Sequence, residues 1–132
     1  MHFVTFLNNN KTNVGVIESN DTLIDLSFYS PEIPNDLNQI IESNSLEKIK
    51  DIKKNPKAES IVNSKDVKIL APIPVPRRNI ICVGLNYHEH VKEFRNSGYD
   101  PNKNKTPIPD HPIIFTKATT SVIGPGDSIP SA

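Results

Sequence analysis

The sequence predicts an α+β fold that opens with a small N-terminal αβ domain, and three observations carry this expectation. Three short apolar runs separated by turn-forming residues come first, and two amphipathic helical segments follow them. A proline at every second position from Pro72 to Pro76 then breaks both patterns. Proline fixes φ and removes a backbone donor, so residues 71–76 read as an extended, semi-rigid linker. The expected organisation is a small αβ domain over 1–70, the linker over 71–76, and the beginning of a second domain over 77–132.

Residues 2–7, 13–18 and 22–26 read as strands, with turns at Asn8–Lys11 and at Ser19-Asn20-Asp21. A meander of this kind needs cover on one face. A helix at about 36–43, behind the cap candidate Asn35, and another at about 46–54, behind Ser45, can supply it. Leu37, Ile40 and Ile41 fall on one face of the first, and Leu46, Ile49 and Ile52 on one face of the second. The lysines at 48, 50, 53, 54 and 57 are interrupted by Glu47, Asp51 and Glu59, which reads as a solvated helix face.

Beyond the linker, Ile80 to Val83 is a continuous apolar run, expected as a strand buried on both faces, with Cys82 as packing. Residues 96–112 are polar and proline-rich and read as a long loop. Pro112 to Lys117 reads as a strand, and Gly124-Pro125-Gly126-Asp127 as a turn with proline pre-set at its second position.

Composition excludes several classes of function. Fifteen basic residues balance fifteen acidic ones, so no global field recruits nucleic acid or an anionic membrane, and no aromatic residues interleave with basic ones as a base-stacking platform requires. The longest apolar stretches, Phe3 to Leu7 and Ile80 to Leu85, fall far short of a membrane span. No basic n-region precedes the first of them, so no signal peptide is expected. One cysteine cannot form an internal disulfide, and a cytoplasmic location is expected.

The segment richest in chemistry is Ile80 to Glu93, where an apolar strand runs through Gly84 into a helix bearing two histidines. Asn86 and Glu89 have the spacing of a capping box, which makes Tyr87 the first helical residue. At about 100° per residue, Tyr87, His90, Val91 and Phe94 share one arc, while His88, Lys92 and Arg95 lie opposite. His90 therefore faces inward and His88 faces water. Glu93, three residues after His90, is within reach to orient one imidazole nitrogen and leave the other free for proton transfer. The same geometry also suits a core histidine satisfied by a carboxylate. A zinc site from Cys82, His90 and His111 lacks recognised ligand spacing, and neither glycine turn completes a nucleotide-binding fingerprint.

Residues from about Ile69 to Ile129 resemble the start of the catalytic domain of the fumarylacetoacetate hydrolase family. The resemblance rests on the Pro-rich lead-in with Ile81-Cys82-Val83-Gly84-Leu85-Asn86-Tyr87, on His90 and Glu93, on Pro112-Ile113-Ile114-Phe115-Thr116-Lys117, and on Ser121-Val122-Ile123-Gly124-Pro125-Gly126-Asp127. It implies a mixed β-sandwich-roll for the second domain and an enzyme acting on oxo- or dioxo-acids by C–C hydrolysis, decarboxylation or isomerisation. It further implies a divalent cation (Mg2+, or Mn2+ or Ca2+) holding an enolate, His90 as base, Glu93 as its partner, and Tyr87, Phe115 and Lys117 toward substrate. The helix and the adjoining 95–111 loop would serve as a lid, and the complete protein would be a homodimer. The family's metal ligands are an E-x-E pair and a later aspartate. No E-x-E occurs in this sequence, and the acidic residues of 77–132 are Glu89, Glu93, Asp100, Asp110 and Asp127. The chain is therefore expected to bring the base and lid without the metal ligands, and to be inactive by itself. The alternative expectation is a non-catalytic interaction module that pairs with itself or with a full-length homologue.

Overall fold

The structure is a computed structural model that describes residues 1–102, 105 and 107–129. The chain divides into two compact units. The first comprises Met1–Arg77 together with 122–129, and the second is Arg78–Ser121. Both α-helix and antiparallel sheet are present, so the α+β class holds. Among the described residues no helix is long and apolar enough to cross a membrane.

The first unit begins with strands β1 (Phe3–Asn8), β2 (Lys11–Ile17) and β3 (Thr22–Asp25). Asn9 and Asn10 both adopt positive φ between the closing pair Asn8 and Lys11. That is the two-residue hairpin turn whose twist suits the strands, and asparagine tolerates it because its short amide side chain is at ease in the left-handed region. The turn is tighter than the sequence reading had it, and β2 starts two residues earlier. Two short strands not anticipated from sequence, β4 (Ile61–Asn63) and β5 (Lys68–Ile69), extend the sheet to the order β4-β3-β2-β1-β5, antiparallel throughout.

Strand β2 is central, and both faces of the sheet near it are covered. On one face Val14 and Val16 pack with Leu26, Ile33, Leu37, Ile40 and Ile49. On the other, Val4, Phe6 and Leu23 form a second cluster with Val62, Val67 and Ile69 around it. Gly15 faces this second cluster. A Cβ there would lie 2.7 Å from the Ile24 carbonyl oxygen and 3.1 Å from the Phe6 ring, so only glycine lets Phe6 and Leu23 close over the strand.

Helices α1 (Leu37–Glu42) and α2 (Leu46–Lys54) lie where the periodicity placed them, with corrections on both. Ser45 makes no side-chain cap for α2, and Leu46 is 45% exposed. The cap of α1 is Asp36, whose Oδ1 accepts from the Gln39 amide at 3.0 Å. Asn35 is unavailable because its side chain serves β2: it accepts from Val14 N and donates to Asn13 Oδ1 and to the Thr12 carbonyl. Ile41 is 64% exposed while Leu37 and Ile40 are buried, because a helix of six residues presents only one narrow stripe to the sheet. On α2, Lys50 pairs with Glu47 and Lys54 with Asp51 one turn apart, and Lys53 reaches Glu18.

The 71–76 segment is fastened to the first unit. The Thr5 hydroxyl donates to the Pro72 carbonyl, Asn38 donates to the Val75 carbonyl, Ala71 is buried, and Ile73 packs against the Val14 cluster. Arg77 pairs with Glu42 of α1. The 122–129 segment is held in the same unit. Its turn is type II, with the Asp127 amide donating to the Gly124 carbonyl and Gly126 at φ +78°, a value that glycine alone adopts without strain. The Asp127 carboxylate accepts from the Gly124 amide at 2.9 Å and from Lys68 Nζ at 2.8 Å.

The second unit holds β6 (Ile80–Gly84), α3 (His88–Asn96) and β7 (Ile113–Lys117), with β6 and β7 forming a two-stranded antiparallel ribbon. The expectation that Ile80 to Val83 is buried on both faces is corrected. Burial alternates along β6, with Ile81 73% and Val83 49% exposed, because among the described residues nothing covers that face of the ribbon.

Ile40 is fully buried at the centre of the main core. Ile40→Ala is expected to lower unfolding stability by about 2–5 kcal/mol, read from urea denaturation. The Lys68 ammonium and the Gly124 amide hold the Asp127 carboxyl below the usual carboxylate range. A depressed folded-state pKa stabilises above the unfolded value and ceases to do so as pH falls through the folded one. Wild type is therefore expected to exceed Asp127→Asn in stability at neutral pH, with the gap closing as pH drops below about 4, measured by denaturation at stepped pH.

Candidate active site

Strand β6 ends at Gly84, and the chain turns through Leu85, held at φ +47°. A leucine in the left-handed region costs roughly 1–2 kcal/mol, the kind of local strain that gathers at functional turns. Helix α3 starts one residue later than its sequence suggests. Tyr87 is the N-cap in an extended conformation and makes no side-chain cap, so the Asn86–Glu89 box is not formed. The first helical hydrogen bond runs from the Val91 amide to the Tyr87 carbonyl.

The helix sorts its side chains as an amphipathic arc demands. Val91 is 1% exposed, His90, Phe94 and Arg95 are half-buried, and His88, Glu89, Lys92 and Glu93 are exposed. The two histidines are thus distinct: His90 is sheltered and His88 is solvated. The neighbour of His90 is the Tyr87 ring, with centroids 5.3 Å apart and planes tilted by 36°. Among the described residues no hydrogen bond or ion pair joins His90 to Glu93, whose side chain points to solvent on the next turn.

The β6–β7 register places the remaining candidates. Phe115 stands opposite Cys82, with its ring reaching beside Gly84, so it lies on the same ribbon face near the turn. Lys117 stands opposite Ile80, at the other end of β6, about 13 Å of strand from Gly84. The structure therefore gathers His90 and Tyr87, sets Phe115 near the β6–α3 turn, and leaves Lys117 distant along the strand and exposed. Cys82 is half-buried and free, with its sulfur 3.9 Å from the Ile80 carbonyl.

A shallow cavity of about 180 Å³ opens at this turn, lined by Leu85, Asn86, Pro109, Asp110, His111 and Pro112. Asp110 and His111 were not among the residues singled out for catalysis from sequence. The signal for them lay in the strand pairing: Ile113 pairs with Gly84, so the residues just before Ile113 must lie beside those just after Gly84. Residues 103, 104 and 106 of the expected lid loop lie outside the described residues. Among the described residues no group of three His, Cys, Asp or Glu side chains could hold a metal ion. The described residues do not provide a ligand set for the divalent cation that the family resemblance implies.

The arrangement offers a half-buried imidazole on the helix that follows the β6 turn, a side chain with one ring nitrogen that can donate and one that can accept. Residues 79–132 match the family model described as "Fumarylacetoacetate (FAA) hydrolase C-terminal". The chain is 42% identical over 66 residues to oxaloacetate tautomerase YisK of Bacillus subtilis, covering 50% of this chain and 19% of that protein. It is 30% identical over 115 residues to the mitochondrial oxaloacetate tautomerase fahd2 of Xenopus laevis, covering 86% of this chain and 32% of that protein. The chain thus spans about a third or less of these curated relatives. A solved structure of fumarylacetoacetate hydrolase from Exiguobacterium antarcticum superposes with a TM-score of 0.51 over 92% of this chain and 36% of that one, at 24% identity, which supports the fold. Residues 79–132, with their strand–turn–helix motif and β6–β7 ribbon, match the fumarylacetoacetate hydrolase family.

Proposed function

We propose that this chain supplies the proton-transfer helix of an enzyme that interconverts the keto and enol forms of a small oxo-acid of the oxaloacetate type. The observation that carries the reading is the 42% identity with an oxaloacetate tautomerase over half of this chain. In such a reaction a base removes a proton from the carbon next to the carbonyl, the electron pair moves into the C–C bond, and the carbonyl oxygen gains a proton. His90 is the base in this reading. It is half-buried, so its imidazole meets fewer competing waters than His88, and the Tyr87 ring limits its orientation. Glu93 becomes its partner only after a side-chain rotation toward the imidazole. The adjoining loop acts as cover during turnover. Among the described residues no group could hold the cation expected of the family, so this polypeptide alone is read as inactive.

A second reading is favoured by the apolar surface of the ribbon, where Ile81 and Ile114 are 73% and 69% exposed on one face. Here the chain is a non-catalytic module that pairs with itself or with a longer homologue through that face.

A chimera in which this chain's matching segment replaces that of the Bacillus tautomerase tests the first reading, with oxaloacetate enol decay followed by absorbance. The chimera is expected to be active, and His90→Ala to lower kcat by roughly 10²–10⁴-fold. A folded but inactive chimera, or an unchanged rate in His90→Ala, refutes it. For the second reading, size-exclusion chromatography with light scattering is expected to show self-association that Ile81→Asp abolishes. A monomer at all concentrations, with no binding to a longer homologue, rules it out.

A further inference from the structure

We propose that the cleft between α2 and the 26–33 segment of the N-terminal unit binds a free α-amino acid with an apolar side chain. The cleft encloses about 350 Å³, at the low end of the range roughly 300–1,000 Å³ in which small-molecule sites lie. It is far too small for a protein segment with secondary structure. It is independent of the tautomerase reading and uses none of the residues named there.

Its wall is tied together by hydrogen bonds. The Tyr29 hydroxyl accepts from the Lys57 amide at 2.8 Å and shares a hydrogen bond with Ser60 Oγ at 3.2 Å. Lys57 Nζ donates to the Phe28 carbonyl and sits 4.8 Å from the centre of the Tyr29 ring. The Lys57 ammonium is thus committed to the wall. The floor is apolar, formed by Ile33, which is 1% exposed, and by Ile52 of α2. Phe28 lines the cleft and is 45% exposed, a large aromatic surface.

Charge at the rim selects the ligand class. Lys48 of α2 and Glu32 of the facing segment meet across the opening at 3.7 Å, with both side chains largely exposed. An ion pair that long and that solvated contributes little and opens readily. Asp51, the other acid at the rim, is held by Lys54 in a 2.9 Å hydrogen bond, whereas Lys48 and Glu32 touch only at 3.7 Å. These two are therefore the more loosely held cation and anion of the rim, side by side above Ile33 and Ile52. A simple anion would meet Glu32 as well as Lys48, and a simple cation the reverse. A zwitterion satisfies both at once, its carboxylate on Lys48 and its ammonium on Glu32, with its side chain against Phe28, Ile33 and Ile52.

The test is a titration of the isotope-labelled full chain with L-phenylalanine, read by amide NMR shifts and by calorimetry. L-Serine, 3-phenylpropionate and phenethylamine serve as comparators. Saturable shifts confined to residues 28–33 and 48–57 are expected, with each comparator at least about tenfold weaker. Lys48→Ala and Phe28→Ala, both at exposed positions that the fold tolerates, are each expected to weaken binding about five- to tenfold, and Lys48→Arg to restore most of it. No saturable shift, shifts located elsewhere, equal binding of 3-phenylpropionate, or unchanged affinity in both alanine variants would each overturn the proposal.

Discussion

The N-terminal unit is organised around one buried carboxyl group. Asp25, at the end of β3, is 1% exposed, and a polar group that deep must find its hydrogen bonds within the protein. Its Oδ2 accepts from Asn13 of β2 at 2.9 Å, and its Oδ1 accepts from the Ser27 amide at 2.8 Å, which starts the 3₁₀ turn after the strand. Asn13 Oδ1 in turn accepts from the Asn35 side-chain amide, whose Oδ1 receives the Val14 amide. One connected network therefore fixes the exit from β3, the path of β2 and the approach to α1. Among the described residues no buried side-chain polar atom is left without a partner. The apolar packing of Val14, Val16, Ile40 and Ile49 gains its single arrangement from this frame, since hydrophobic contact by itself has no direction.

The same network explains where local sequence signals misled. Asn35 and Asp36 are both good caps, and nothing in a linear reading says which one the sheet will take. The tertiary need at β2 took the amide, and the carboxylate was left to cap α1. Strands β4 and β5, three and two residues long, are too short to show an alternating pattern. They exist because the outer edges of β3 and β1 had unpaired backbone groups to offer. By contrast, the extent of α2 was readable to the residue, because its apolar stripe and its charged pairs agree over more than two turns.

In the second unit, helical periodicity was enough to tell His90 from His88, since two residues on a helix point about 200° apart whatever surrounds them. Spacing alone could not show whether Glu93 would turn toward His90. That depends on rotamers and on competing solvent, and here the carboxylate stays in water while the Tyr87 ring takes the place beside the imidazole. The turn itself was also beyond linear reading. Nothing about Leu85 announces a left-handed backbone, and the spacing of Asn86 and Glu89 does not show that the helix starts at His88 with the capping box unformed.

The course of the chain through 122–129 has a thermodynamic meaning of its own. Residues 78–121 leave the first unit after Arg77 and come back to it at Val122, so they form a closed loop whose two ends are anchored in one folded body. The Lys68–Asp127 pair and the seating of Gly124 against Leu70 and Ala71 act as the clasp. Closing a loop of that length removes conformational freedom from the unfolded segment once, and every contact formed inside it afterwards is made between tethered ends. The histidine helix thus folds within a segment whose two ends the first unit already holds, although that unit contributes no residue to the catalytic chemistry proposed for the helix.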